Sequence, residues 1–484
     1  MISLFNRYID FILEENSLIS PNVSYQNIRE HISKLDKLLV LLLRVYLVFL
    51  SLISCIFFLK KFSKITDKQI KSIKKCLFLF NFFMKKIDQV FFVIISMHVY
   101  GNEGLVKTEL QGPDKNKTSY RFIVVGSGPS GSVTALELSK KFPGEVLIIE
   151  RGSSYEIPKS KHPGEEFTKK WYRGGVNSTY FPNMIAYSSG DCFGGGSEIN
   201  SGLYHEPDSI FLDNWSKEHE TLDLNLSSLE PFLEKIRPLT SKFKTNEIFS
   251  KKFIEGSLFN NDSFSELPRF IDEKSEFKNS MSKTLLAEFM ENKGEVELST
   301  SVKKISFENK KWEVVAKKNG SSISFTCDYL FLCCGSVFTN NLLLKSGIAK
   351  SKRHTIRKFK FHPMLKVIGS YDEDVQEINE DVIAHQNIQY YPKFIIGNAS
   401  SSLQFLISSF QENQNIKKFI MKNWKRMKVF HATFSLGIGK IYRIPFFDEP
   451  LLTYKINKSE KNLMYTAFSK VLDFINKTGP QFMI

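Results

Sequence analysis

With 484 residues the chain has room for several domains and a sizeable core, and 42% hydrophobic against 24% charged residues excludes a disordered polypeptide. Its formal charge of +15 is carried by lysines scattered along the whole length, beside plentiful Asn, Ile and Phe; this is a composition bias, and no arginine run with interleaved aromatics marks a nucleic-acid groove. Six cysteines without a C-x-x-C pair (Cys55, Cys76, Cys192, Cys327, Cys333, Cys334) argue against a disulfide framework or a zinc site, and the expected location is the cytoplasm or the cytoplasmic face of an inner membrane.

Residues 1 to about 115 are predicted to be helical: no Gly precedes Gly101 and no Pro lies between Pro21 and Pro113. Within them Leu38 to Leu59 is long enough to span a bilayer, with Lys34, Lys37, Lys60 and Lys61 flanking it. A second apolar stretch from Cys76 is interrupted by Lys85, Lys86 and Asp88. Two readings stay open for 38–59. It is a membrane anchor, which its length favours, or a helix packed against the body of the protein. Arg44 speaks for the second, since a charge inside a span is costly unless paired. A cleaved secretory signal does not fit a run that starts so deep.

From Tyr120 strands and turns dominate. "FIVVGSGPSG" (Phe122 to Gly131) joins an apolar strand to the helical spacing of Val133, Leu136 and Leu138. This strand–turn–helix context is what a G-x-G-x-x-G fingerprint requires. Gly126 allows the tight turn, Gly128 lets backbone approach a pyrophosphate, and Gly131 lets the helix pack closely. The helix start adds free N–H groups and partial positive charge. "EVLIIERG" is a second strand ending at Glu150, about 20 residues on, where an acid bonds a ribose hydroxyl.

Further along, "GEVELSTSVKKISF" is read as one strand that brings Val302 beside an adenine. Asn319-Gly320 between two strand-like runs predicts a two-residue hairpin. Tyr329 to Ala349 is an apolar strand, a small-residue turn at Gly335-Ser336, then a helix. This split arrangement favours FAD over a simple NAD site. The fold class is therefore α/β, with a Rossmann-like FAD-binding domain behind an N-terminal helical region, 1–115.

"DCFGGGSEINSGLYHEPDSIFLDNW" (Asp191 to Trp215) places three glycines before Ser197 and Asn200. It resembles the flavin-binding stretch, GG-S-x-x-x-N, of the glucose–methanol–choline (GMC) oxidoreductases, and the GGGS form is nearest the long-chain alcohol oxidase and cholesterol oxidase branches. "EEFTKKWYRGGVNSTY", "LFLCCGSVFTNNLLLKSGIA", "KFHPML" and "EPLLTYKINKSEKNLMYTAFSKVLDFINKTG" extend the resemblance over about Ser119 to Gly479.

The resemblance implies FAD as cofactor and a small-molecule alcohol as substrate, oxidised at a CH–OH group by hydride transfer to flavin N5. It also implies an antiparallel-sheet substrate domain, with 119–215 and 286–365 as the FAD-binding domain, 216–285 as the cap and 366–484 as the substrate domain. It implies that Gly126, Ser127, Gly128 and Gly131 cradle the pyrophosphate, and that Glu150 holds the ribose with Arg151 beside it. Gly195, Gly196 and Asn200 line the flavin, with Ser201 where relatives often have Gly. Val302 reaches the adenine through its backbone, and Gly335 and Ser336 approach from the second strand.

The family's base is a His in an H-x-x-G-T stretch, and no such run occurs before Ile484, about where it is expected. The resemblance thus leaves a truncated chain, a second chain supplying the segment, or a flavoprotein inactive on its own. His205, His362 and His431 are weighed as substitutes, and none is assigned a catalytic role.

Overall fold

In the computed structural model of the chain, the described residues are 2–15, 24–76, 81–101, 105–114, 116–156, 164–180, 182–218, 224–242, 247–259, 261–272, 278–348, 358–375, 385–399, 401–409, 414–443 and 448–483. Ala349, the end of one predicted helical stretch, lies outside them.

Helices α1 (Ile2–Glu15), α2 (Tyr25–Lys34), α3 (Lys37–Phe58), α4 (Asp67–Cys76) and α5 (Asn81–Val99) come first. Ser24 caps α2, its Oγ accepting the Asn27 N–H at 3.2 Å. Tyr8, Phe11, Ile28, Leu43, Leu47, Leu50 and Phe91 close a core with no solvent exposure. That core continues into the helices Leu403–Ser409 and Gln414–Asn423 through Leu406, Ile407 and Ile420. The helical region is therefore fused to the body by shared apolar packing. Among the described residues one helix, Leu39–Phe58, is long and apolar enough to cross a membrane. One side of it is occupied by this core.

The first large sheet has the strand order Glu295–Glu297, Val146–Ile149, Ser119–Val125, Ser321–Leu332, Lys311–Lys318, Thr300–Glu308. The first four run parallel and the last two are antiparallel additions. Val146 to Ile149 is buried at every position, as a strand covered on both faces must be. Truncating Ile148 there to Ala would cost ~2–5 kcal/mol. The helix Pro129–Lys141 packs on this sheet, with Ala135 and Leu136 buried.

The stretch read as a single strand around Val302 is two. Ser299 turns with φ +55°, and the chain passes from one edge of the sheet to the other. It crosses the ends of the parallel strands, where Thr300 N–H donates to Glu150 O at 2.9 Å. The Asn319-Gly320 hairpin forms, with φ of +49° and +87° and Lys318 paired to Ser321.

The second sheet is antiparallel throughout: Phe482–Met483, Met364–Ser370, Met427–Phe434, Phe394–Ala399, His385–Asn387, Phe264–Glu266. The helix Lys458–Lys477 covers one face with Ala467, Val471, Phe474 and Ile475. Asn457 and Glu460 form its capping box. A three-stranded sheet of Lys358–Phe359, Ile438–Tyr442 and Leu451–Lys455 packs against Val337 and Leu344 of the helix Gly335–Lys345 and against Met464.

Candidate functional site

Where the parallel strands end, the two glycine clusters of the sequence meet. A Cβ built on Gly195 would stand 2.8 Å from Gly128 Cα. Gly131 must also be bare, since its Cβ would fall 1.9 Å from Gly126 O. Gly126 (φ +101°) and Gly195 (φ +57°) occupy conformations that side chains rarely adopt. A Cβ on Gly128, by contrast, would meet nothing within 4 Å: its backbone faces open space. Gly128 is the N-cap of the Pro129–Lys141 helix without a side-chain cap, so the first N–H groups of that helix stay available.

Both loops open onto one cavity of about 1260 Å³. Of the residues expected at the site, Gly126, Gly128, Glu150, Arg151, Gly195, Gly196, Asn200, Ser201, Val302 and Gly335 line it. Ser127 and Gly131 lie buried behind the wall, and Ser336 is exposed in the first turn of its helix, outside the lining.

The polar residues at this rim hold the loops to one another. Glu150 accepts from Ser127 N–H at 2.9 Å, Ser127 Oγ at 2.7 Å and Gly152 N–H at 2.8 Å. Arg151 bonds Asp191 at 2.7 Å and lies over the rings of Tyr172 and Phe338. Burial pushes the Cys334 thiol up to about 12, with Glu150 adding to it. Cys334 therefore stays protonated and serves as wall, with no thiolate chemistry.

Several residues that sequence reasoning missed fix the second loop. Lys278 Nζ donates to the carbonyls of Glu198 (2.8 Å) and Asn200 (2.7 Å), and Arg269 donates to that of Ser201 at 2.8 Å. Ser197 Oγ accepts from Met281 N–H and donates to Gly194 O. Nothing in the local sequence around Lys278 announces this, because the contact spans about 80 positions.

At its other end the cavity is walled by Phe361, His362, Pro363, Met364 and Lys366, with Ile456 and Met464 nearby. His362 is the one histidine among the described lining residues. His431 sits opposite Lys366 in the strand pair, buried and outside the lining. Burial first, then Lys366 and His362, push it down to about 3. Desolvation also pulls the Lys366 ammonium below its ordinary value. His205 is likewise absent from the lining.

A parallel sheet with a glycine turn at its ends, joined to an antiparallel sheet across one long cavity, is the architecture of FAD-dependent oxidoreductases. The GMC oxidoreductase family model matches residues 120–364, half of the chain, and the chain belongs to that family. An uncharacterised GMC-type oxidoreductase of Sinorhizobium fredii is 24% identical over 356 residues, covering 69% of this chain and 70% of that one. An oxygen-dependent choline dehydrogenase of Staphylococcus xylosus is 24% identical over 319 residues, 57% of this chain and 56% of that one. The chain thus spans little more than half of the choline dehydrogenases it matches.

Among solved structures, pyridoxine 4-oxidase from Mesorbium loti superposes with a TM-score of 0.56 at 12% identity, covering 73% of this chain and 80% of that one. Formate oxidase from Aspergillus oryzae RIB40, in a study of FAD modification, superposes with a TM-score of 0.54 at 14% identity, covering 75% and 82%. These neighbours show the fold. Family membership implies FAD as the cofactor and alcohol-type substrates.

Proposed function

We propose that the chain binds FAD across the two glycine loops and oxidises a CH–OH group of a small alcohol at the far end of the same cavity. The observation that carries this reading is the approach of Gly195 to Gly128 over open space. Two backbone segments without side chains form one cradle, and the cavity continues from it to a wall with ionisable groups.

Gly126, Gly128 and the free N–H groups of the Pro129–Lys141 helix hold the diphosphate. Gly131 and Ser127 shape that turn from behind. Glu150 fixes the turn and borders the ribose, and Val302 borders the adenine. Gly195, Gly196, Asn200 and Ser201 face the ring system, and Gly335 closes the cavity from the second half of the domain. Bound FAD would supply the two-electron oxidation of the substrate carbon. The chain orients the alcohol and accepts its hydroxyl proton. Of the titratable side chains that line the cavity at this end, His362 is the one we assign to take that proton.

Purified chain, or chain refolded with FAD, should carry flavin absorbance that Gly128→Trp abolishes. Anaerobic bleaching of that absorbance by one of a panel of primary and secondary alcohols identifies the substrate class. A wild-type chain that folds and takes up no flavin overturns the reading.

A further inference from the structure

We propose that α3 docks the protein in the plane of an anionic membrane surface, through an apolar stripe opposite its buried side. Leu43, Tyr46, Leu47 and Leu50 face the core of the helical region. Tyr46 Oη is 3.1 Å from Tyr8 Oη, and Tyr8 in turn bonds Asp88, which pairs with Lys74. A spanning α3 would drag these charges into hydrocarbon. The other side of the helix is apolar too, and exposed at Leu41, Val45, Val48, Leu52 and Ile56, Leu52 at 59% and Ile56 at 73%. At 100° per residue they fall on one arc. An unbroken row of this kind on a soluble surface marks an interaction site.

Charge decides the occupant. From Lys37 to Thr66 the sequence contains no Asp or Glu, and it contains Lys37, Arg44, Lys60, Lys61 and Lys64. Arg44, Lys37, Lys60 and Lys61 are all exposed. Arg44 borders the arc, where its aliphatic stem can lie along the apolar surface while the guanidinium reaches headgroups. Lys68 and Lys71 on α4 add exposed cations beside it. A second copy of the chain would bring these like charges together, whereas an anionic bilayer satisfies them and the stripe at once.

The test uses the full chain floated with vesicles of phosphatidylcholine, alone or mixed with phosphatidylglycerol. Binding is expected to the mixed vesicles and to be released by high salt. Leu52→Glu with Ile56→Glu should lower it by about tenfold or more. Lys60→Glu with Lys61→Glu should also lower it, by about tenfold, and flatten its salt dependence. Both pairs are exposed, so circular dichroism and flavin content should match the parent, which separates failure here from failure of the FAD reading. Equal binding to both vesicle types, no binding at low salt, or an unchanged Leu52/Ile56 variant overturns the proposal. So does resistance to alkaline extraction, which marks a spanning helix, or a dimer that the Leu52/Ile56 variant dissociates.

Discussion

Ser127 Oγ donates to Glu150 at 2.7 Å and accepts the Gly194 N–H at 3.0 Å, so one hydroxyl ties the first glycine turn to both the second strand and the second glycine loop. Ser127 is fully buried and Glu150 is 8% exposed. Ser127→Ala would leave the carboxylate short of one donor and the Gly194 N–H without an acceptor. We expect a loss of about 1–3 kcal/mol in stability, read by urea unfolding, together with faster release of flavin on dilution. Ser127→Thr should recover part of the loss, because it keeps the hydroxyl.

The approach of the two loops predicts a contrast between glycines. Gly195→Ala places a methyl 2.8 Å from Gly128 Cα and forces a side chain to φ +57°. Both atoms it meets are backbone, so neither side can yield cheaply. Flavin content should fall steeply while far-UV dichroism stays close to the parent. Gly320→Ala also has a positive φ, +87°, yet its Cβ would meet nothing within 4 Å. That variant should lose about 1 kcal/mol from backbone strain alone and keep its flavin. Equal flavin loss in both variants would contradict the contact as the cause.

On the opposite wall His362→Gln separates binding from turnover. The residue lines the cavity. Once a substrate is found by flavin bleaching, the variant should bind FAD normally and bleach more slowly, by about 100-fold or more if the imidazole takes the hydroxyl proton. His431→Gln should leave the rate near that of the parent, since His431 lies outside the lining.

The parts of the site that the amino-acid sequence announces are those built from neighbouring residues. The Gly126-x-Gly128-x-x-Gly131 turn, its flanking strand and helix and the Asn319-Gly320 hairpin depend on short-range chemistry that leaves a local trace. The second hairpin of that sheet turns at Asn309 and Lys310, both with positive φ, and Lys310 gives no such signal. The break at Ser299 is equally hidden, because a residue of ordinary type turns the chain there. The clamps Lys278 and Arg269 are invisible for another reason. Their partners are main-chain carbonyls far away in sequence, which any residue type presents. For α3, hydropathy is uniform around the helix, and only tertiary packing distinguishes the covered side from the open one.

The helical region is joined to the glycine-loop wall by a buried histidine pair, and this gives the fold an acid-sensitive joint. His31 Nε2 lies 2.6 Å from Gly174 O, and His31 Nδ1 lies 3.0 Å from His98 Nε2. A carbonyl only accepts, so Nε2 of His31 carries its proton, Nδ1 accepts, and His98 donates from Nε2. His98 Nδ1 is then a bare acceptor with no hydrogen-bond partner among the described residues. Burial lowers His31 to about 3, with His98 adding to it, and lowers His98 to about 4. Both folded values lie below the ordinary 6.5, so the unfolded chain binds more protons between pH 6.5 and about 4. Stability is full above pH 6.5 and falls as pH drops through that window. Between pH 7.5 and pH 5 the loss should be about 1–2 kcal/mol per histidine, seen as a lower urea midpoint. His98→Phe should flatten the slope, whatever it does to stability at pH 7.5. Gly174→Ala should destabilise at every pH, because its methyl would fall 2.3 Å from the His31 ring at φ +62°.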